Sequence, residues 1–322
     1  MNFFRITVPI LTILILLLAG CSPAHRPLSK KELEQQLVAA IDKGDASAMT
    51  QLLDAGASVQ AKNGHGQTAL GLAAAKREHA IVDLLLKRGA DPAVLDGSGR
   101  LTLEDAARNS DPLIFEALLA RNPNPKEKEE ALFAVASMSV AEVVIPGVPQ
   151  LPNTVHRDHS NWYRAAELLL NNGVPVDVRD EENSTPLITA AAYGQRELFE
   201  LFLERRADIN ATDKYGNTAL ITAACECAQA TMPSTYEIVQ TLIERGADIN
   251  ARNRQGRTAL MNAVIGFGGI DNAKFLIAKG ANLNVKDQKG KTALKLATES
   301  DHPEAVELLR EALSQANSKN SR

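Results

Sequence analysis

A Thr-x-Leu triplet recurs along this chain at a near-constant interval, and a fixed period constrains a fold more tightly than any local motif does. It stands as Thr68-Ala69-Leu70, Thr185-Pro186-Leu187, Thr218-Ala219-Leu220, Thr258-Ala259-Leu260 and Thr292-Ala293-Leu294, with Leu101-Thr102-Leu103 as a weaker copy. The step is 33 residues from 68 to 101 and from 185 to 218, 34 from 258 to 292, and 40 from 218 to 258. Each triplet sits in a longer frame. Gly66, Gly216, Gly256 and Gly290 precede it by two residues, and Ala73-Ala74, Ala106-Ala107, Ala190-Ala191, Ala223-Ala224, Ala263 and Ala297 follow. A second apolar stretch then meets a terminator: Leu84-Leu85-Leu86 before Gly89-Ala90-Asp91, Leu242-Ile243 before Gly246-Ala247-Asp248-Ile249-Asn250, and Leu276-Ile277 before Gly280-Ala281-Asn282.

Each part of the frame has a physical reading. The Thr hydroxyl can cap a first helix, and Pro186 suits a first helical turn. Paired Ala lets first helices of neighbouring units approach closely. Gly after the second helix permits the left-handed residue that ends it, and Asp, Asn and Gly build the turn into the next unit. Hydrophobic residues make up 45% of the chain and aromatics only 4%, as expected of a core built from Leu, Ile, Val and Ala in stacked helix pairs. With 23% charged residues, the composition is not that of a disordered chain. The formal net charge of −4 leaves no basic excess for a polyphosphate, which argues against nucleic acid as a partner.

The frame resembles the ankyrin repeat, a pair of antiparallel helices with a β-turn finger. The resemblance implies an all-α solenoid of about eight units. It also implies a concave face of finger tips and first helices on which such arrays usually bind protein. One departure is general: the His that often follows Thr-Pro-Leu is absent, its place taken by Gly71, Glu104, Ile188, Ile221, Met261 and Lys295. The repeat domain is expected over 29–316. It opens on Ser29-Lys30-Lys31-Glu32, which reads as a capping box, and is followed by a polar tail at 317–322. The third unit is degenerate, with Asn122-Pro123-Asn124-Pro125 in place of the usual terminator. Three units carry insertions between first and second helix: Ser139–His159, Cys225–Pro233 and Gly266-Phe267-Gly268-Gly269. Repeat geometry puts all three on the edge opposite the fingers, where they read as tolerated loops or as contact segments. Trp162-Tyr163 should pack the longest insertion onto the array.

Ahead of the repeats, MNFFR is basic and ITVPILTILILLLAG is a short uncharged apolar run, together reading as a secretory signal over 1–20. It ends in Leu18-Ala19-Gly20-Cys21, which resembles the lipobox of bacterial lipoproteins. That resemblance implies cleavage before Cys21 and acylation of its thiol and new amine, and several acyl chains anchor stably where one is marginal. Residues 21–28 would be the tether, of which Ser22 to Leu28 spans at most roughly 23 Å. Ser22 after the Cys is consistent with sorting to the outer membrane. The expected location is therefore the bacterial envelope, lipid-anchored and facing the periplasm.

Catalytic frames are missing: no G-x-S-x-G, H-E-x-x-H, P-loop or G-x-G-x-x-G occurs. Gly64-His65-Gly66 and Gly97-Ser98-Gly99 fall at finger turns, so turn formation explains them. His156-Arg157-Asp158-His159 lacks the further ligands of a metal site. Cys225-Glu226-Cys227 reads as ordinary thiols or a reducible local disulfide. No cofactor, metal or small-molecule substrate is expected.

The finger positions supply the candidate binding residues. They are His65, Gln67, Arg100, Glu181, Glu182, Lys214, Tyr215, Asn217, Arg254, Arg257, Lys289 and Lys291, with Tyr193 at the end of a first helix nearby. Their charge changes sign along the array, from Glu181 and Glu182 to Arg254, Arg257, Lys289 and Lys291, which would steer a complementary partner into register. The reading that follows is a protein-binding scaffold tethered to the envelope through Cys21, not an enzyme. Secreted ankyrin-type lipoproteins resemble some immunity proteins that neutralise membrane-attacking toxins passed between bacteria, so an inhibitor of such a toxin is one form of it. Two rivals stand beside it: a structural or protective partner of a periplasmic enzyme, such as one handling oxidative stress, and a redox protein using Cys225 and Cys227.

Overall fold

A computed structural model describes residues 28–97, 102–109, 111–137, 159–225, 235–266 and 269–320. These residues form sixteen helices in eight consecutive pairs. The first four pairs are α1 (Lys30–Asp42) with α2 (Ala46–Asp54), α3 (Ala69–Ala75) with α4 (His79–Lys87), α5 (Thr102–Asn109) with α6 (Pro112–Leu119), and α7 (Pro125–Ala136) with α8 (His159–Asn171). The last four are α9 (Pro186–Ala192) with α10 (Arg196–Glu204), α11 (Ala219–Ala224) with α12 (Tyr236–Glu244), α13 (Ala259–Ile265) with α14 (Ile270–Ala278), and α15 (Ala293–Glu299) with α16 (Pro303–Asn320). Every first helix packs on the first helix of the next unit, and every second helix on the next second helix. The result is an all-α repeat solenoid with one continuous apolar core. Among the described residues the only β pairing is an isolated bridge between Lys62 and Thr68.

The recurrent triplet places its Thr at the helix cap. The hydroxyls of Thr68, Thr185, Thr218 and Thr258 accept from the backbone N–H of Gly71, Ile188, Ile221 and Met261 at 3.0–3.4 Å. All four Thr are buried, so the cap bond also satisfies a hydroxyl that burial would otherwise leave costly. Pro186 occupies the first turn of α9. Behind the caps, Ala73-Ala74, Ala190-Ala191, Ala223-Ala224, Ala263 and Ala297 are all within 2% of full burial. A longer side chain there would force neighbouring first helices apart. The position that lacks its usual His is apolar and buried in the middle units, as Ile188, Ile221 and Met261. Each adds about 1.5–3 kcal/mol of side-chain burial to the core instead of a polar bond.

Most second helices end on a residue in the left-handed region. Gly56, Gly89, Gly173, Gly246 and Gly280 take φ between 84° and 100°, while Asn122 and Arg206 carry the same turn without a glycine. After Asn122 the fourth unit departs from the frame. Residues 120–124 alone join α6 to α7, so no finger precedes this unit. Asn124 caps α7 through the N–H of Glu127 at 3.0 Å, and Pro125 fills the first turn. The helix has 12 residues against seven in α3 and α9, its extra turns occupying the place of the missing finger. Glu127 is buried at its start. Burial raises its carboxyl above the usual range, Asn124 hydrogen bonds oppose this, and Asp91 adds to it.

The ends of the array are closed by long helices with polar outer faces. The first, α1, has 13 residues and begins with the expected capping box: Ser29 N–H donates to Glu32 Oε2 at 2.7 Å and Ser29 Oγ accepts from Glu32 N–H at 3.3 Å. The last, α16, has 18 residues and runs into the polar segment as far as Asn320. Terminal repeats need such a solvated outer face because no neighbour covers them. No helix among the described residues is long and apolar enough to cross a membrane. The Trp162 side chain is fully enclosed in the core with Tyr163 half-buried against it, whereas the insertion they were expected to pin, 139–158, lies outside the described residues.

Neighbouring fingers touch closely enough to test. A Cβ on Gly97 would stand 2.2 Å from the backbone oxygen of His65, whereas one on Gly64 would meet nothing within 4 Å. Gly97→Ala is therefore expected to lower the urea midpoint, by a destabilisation of about 1–3 kcal/mol, because backbone must move. Gly64→Ala should stay within about 0.5 kcal/mol of wild type. Equal midpoints for the two variants would contradict this packing.

Candidate protein-binding site

Five fingers among the described residues are built on one hydrogen-bond pattern. In each, an Asp or Asn side chain accepts from the backbone N–H groups two and four residues ahead. Asn63 serves His65 and Gln67, Asp180 serves Glu182 and Ser184, Asp213 serves Tyr215 and Asn217, Asn253 serves Gln255 and Arg257, and Asp287 serves Lys289 and Lys291, at 2.7–3.0 Å. These contacts fix the turn, so the two residues at its tip are presented by rigid backbone.

Further bonds stitch one finger to the next. Lys214 N–H donates to Glu182 O at 2.8 Å, Arg254 N–H to Tyr215 O at 2.8 Å, and Gln288 N–H to Gln255 O at 2.9 Å. At the finger base a basic side chain reaches a backbone carbonyl of the following unit: Lys62 to Leu95 at 2.9 Å, Arg179 to Thr212 at 2.7 Å, and Arg252 to Lys286 at 2.8 Å. The terminator turns are joined likewise. Asp177, Asn210 and Asn250 accept from the N–H groups of Asp208, Asp248 and Asn282 at 2.9–3.0 Å. The finger edge of units five to eight is thus one hydrogen-bonded strip.

This pattern is carried by the whole repeat frame, and the family model described as ankyrin repeats (3 copies) matches residues 37–129, 158–253 and 227–320. The chain belongs to the ankyrin repeat family. It is also 38% identical over 60 residues to an ankyrin repeat protein of fowlpox virus (strain NVSL), a match covering 19% of this chain. The chain spans only 32% of the length of that curated relative. Ankyrin repeats are in general protein-interaction scaffolds.

The sequence candidates fall into three groups on the ankyrin scaffold. His65, Glu181, Glu182, Tyr215, Arg254 and Lys289 occupy finger tips and are exposed. Lys214 is also at a tip, but it is half-buried by an ion pair with Glu182 and stands 5.1 Å from the Tyr215 ring centroid. Gln67, Asn217, Arg257 and Lys291 sit one step further on, at the finger root, and are half-buried. Gln67 Oε1 accepts from Asn63 Nδ2 at 2.8 Å, and Asn217 bridges two fingers by accepting from Asn253 Nδ2 at 2.9 Å and donating to Asp213 Oδ2 at 3.0 Å. The Gln67 amide thus braces its own finger, and the Asn217 amide joins two neighbouring fingers of the strip. Lys291 pairs with Glu299. Arg257 has its Nε buried with no acceptor among the described residues. Tyr193 ends α9 as a half-buried cap residue, at the opposite end of that helix from the finger.

Arg100, Cys21, Cys227 and the His156–Asp158 segment lie outside the described residues. The three insertion sites do share the turn between first and second helix, after α7, α11 and α13. The sequence reading did not single out Lys62, Arg179 and Arg252 as stitching residues. Their signal was available: a basic residue directly precedes the finger Asn or Asp in four units, as Lys62, Arg179, Arg252 and Lys286.

Charge within the strip follows from these contacts. The Lys214 ammonium, by hydrogen bond and charge, holds the Glu182 carboxyl below the usual range, and Lys214 is raised by the same pair. The lowered carboxyl means that this pair stabilises the fold above the ordinary carboxylate range and loses that contribution as pH falls through it. An NMR titration is expected to show Glu182 titrating below an ordinary glutamate and returning to the normal range in Lys214→Ala. For the finger itself, Asp213→Ala should cost about 1–3 kcal/mol in denaturant unfolding, since two N–H groups lose their acceptor. Asp213→Asn should cost well under about 1 kcal/mol, because Asn63 and Asn253 do the same work.

Proposed function

We propose that this chain is a protein-binding ankyrin scaffold tethered to the bacterial envelope through an acylated Cys21, and that it inhibits, as an immunity-type protein, a toxin delivered to that compartment. The finger strip carries the scaffold reading. Its backbone polar groups are engaged along units five to eight, while Glu181, Tyr215, Arg254 and Lys289 project from it exposed. Rigid backbone presenting charged and aromatic side chains limits the entropy lost on binding. Tyr and Arg are the residue types that most often dominate interface energetics.

The tether rests on Leu18-Ala19-Gly20-Cys21 and on the apolar run before it. With the repeat domain beginning a few residues beyond, the array would be held against the bilayer, where a lipid-attacking toxin works. Periplasmic orientation and sorting to the outer membrane belong to the same reading through Ser22.

Cys21→Ala is expected to release the chain from the membrane fraction or leave it unprocessed, read by fractionation and intact mass. Retention with wild-type mass would sink the lipid anchor. In cells sensitive to a toxin encoded beside its gene, expression of the chain should restore growth under challenge and the two proteins should co-purify. Neither protection nor a complex would remove the inhibitor reading, whereas capture of a resident envelope enzyme would favour a structural or protective role.

A further inference from the structure

We propose that the fingers of the sixth to eighth units hold an acidic segment of a protein partner. Its carboxylates would lie on Arg254, Arg257 and Lys289, and an apolar or aromatic residue would lie beside Tyr215. The inference rests on the scaffold reading above and adds the chemistry of the partner.

The first observation is where charge is already matched. Along the second helices and their caps, most junctions between units carry a polar pair. These are Asp54 with Arg88 at 2.8 Å, His79 with Asp111 at 3.1 Å, Glu116 with Arg164 at 2.6 Å, Glu167 with Arg205 at 3.5 Å, Arg196 with Glu237, and Lys274 with Glu304 at 3.3 Å. The junction between α12 and α14 uses the rings of Tyr236 and Phe275 instead, edge to face with centroids 5.8 Å apart. Most junctions on that side thus set one polar or charged group against another from within the array.

The fingers of the last two units are different. Among the described residues the side chains of Arg254, Arg257 and Lys289 have no acid partner, and Glu299 alone faces both Lys291 and Lys295. Asp287, the other nearby acid, is buried and spends its carboxylate on the N–H groups of Lys289 and Lys291. What remains is a cluster of cations on a hydrogen-bonded backbone. Two of them are guanidinium groups, whose planar fork matches a carboxylate in a bidentate manner.

The second observation sets the limit of the site. In the fifth unit Glu181 is exposed and unpaired among the described residues, and Glu182 is taken by Lys214. An acidic chain running along the strip meets matching charge from Tyr215 onward and like charge at Glu181. Attraction at one end and repulsion at the other fix its register. Tyr215, 55% exposed at the boundary, offers the one large apolar surface among these described finger tips.

The test uses the full chain in non-ionic detergent and a fluorescein-labelled oligoglutamate peptide of about twelve residues with one central tryptophan, read by anisotropy at low salt. Wild type is expected to bind. The Arg254→Glu/Lys289→Glu variant should bind at least about tenfold more weakly. A variant of equal charge change away from the fingers, Lys31→Glu/Arg245→Glu, should stay within about twofold. All four substituted residues are exposed, so folding should survive in both variants. Absence of peptide binding by wild type, or equal loss in both variants, would overturn the proposal. So would binding to phosphatidylglycerol vesicles, with the same dependence on Arg254 and Lys289, in preference to the peptide. In an envelope pull-down, a partner captured by wild type but not by the finger variant supports it. A partner captured equally by both overturns it and leaves the scaffold reading standing.

Discussion

Hydrogen bonds that cross from one unit to the next are the interaction on which this array depends. A single helix pair here has first helices of six or seven residues in five units, too short to hold in water alone. It also has backbone groups at its turns that pair with the neighbour: the N–H of Asp248 donates to Asn210, and the carbonyl of Thr212 accepts from Arg179. Apolar stacking supplies the bulk of the free energy, but it is non-directional. The polar bonds decide which residue of one unit meets which residue of the next, because a slip would break several of them together at about 0.5–1.5 kcal/mol each. Stability and register therefore arise from different parts of the frame, the Ala and Leu positions giving one and the Asp, Asn and Arg positions the other.

That division explains what could be read from the sequence. The Thr caps, the close-packed Ala pairs and the left-handed Gly terminators are local consequences of residue type, and they place helices without knowledge of neighbours. The Asp-Ile-Asn that closes two of the terminators, at 208–210 and 248–250, is legible only halfway. Asp248 serves its own turn by accepting from Asn250 N–H, while Asn250 turns outward to the N–H of Asn282 in the next unit. Nothing in a single copy distinguishes the two roles. The finger candidates divide for the same reason. Glu181 and Tyr215 stand at the tip, but Asn217 lies directly before the buried Thr218 cap, and its amide is drawn into the gap between fingers. A count from the Thr would have separated tip from root; charge and size alone did not.

The fourth unit shows the frame yielding to a different solution. Asn122-Pro123-Asn124-Pro125 reads in sequence as a degraded terminator, yet three of its residues do specific work. Asn122 takes the left-handed turn, Asn124 caps, and Pro125 starts a helix that extends into the space of a finger. The finger strip is consequently not continuous along the chain: its stitched portion runs through units five to eight. Burial of Glu127 at the start of α7, raised by desolvation and opposed by Asn124, has the opposite pH sense to the finger pair. A raised carboxyl favours the fold while protonated and loses that advantage as pH climbs toward its folded value. The lowered Glu182 works the other way. Two adjacent units in the middle of the array thus respond differently to acid, although neither group alone sets its stability.

Placement of charge finally ties the scaffold to its use. Surface ion pairs contribute little to stability, typically about 0–1 kcal/mol each, so the pairs along the second helices are poorly explained as fastening. Their consistent effect is to set one charge against another at the junctions that carry them. At the fingers of the last two units three cations without an acid partner among the described residues, Arg254, Arg257 and Lys289, stand on hydrogen-bonded backbone. Rigid presentation and unmatched charge coincide at the end of the array far in sequence from Cys21.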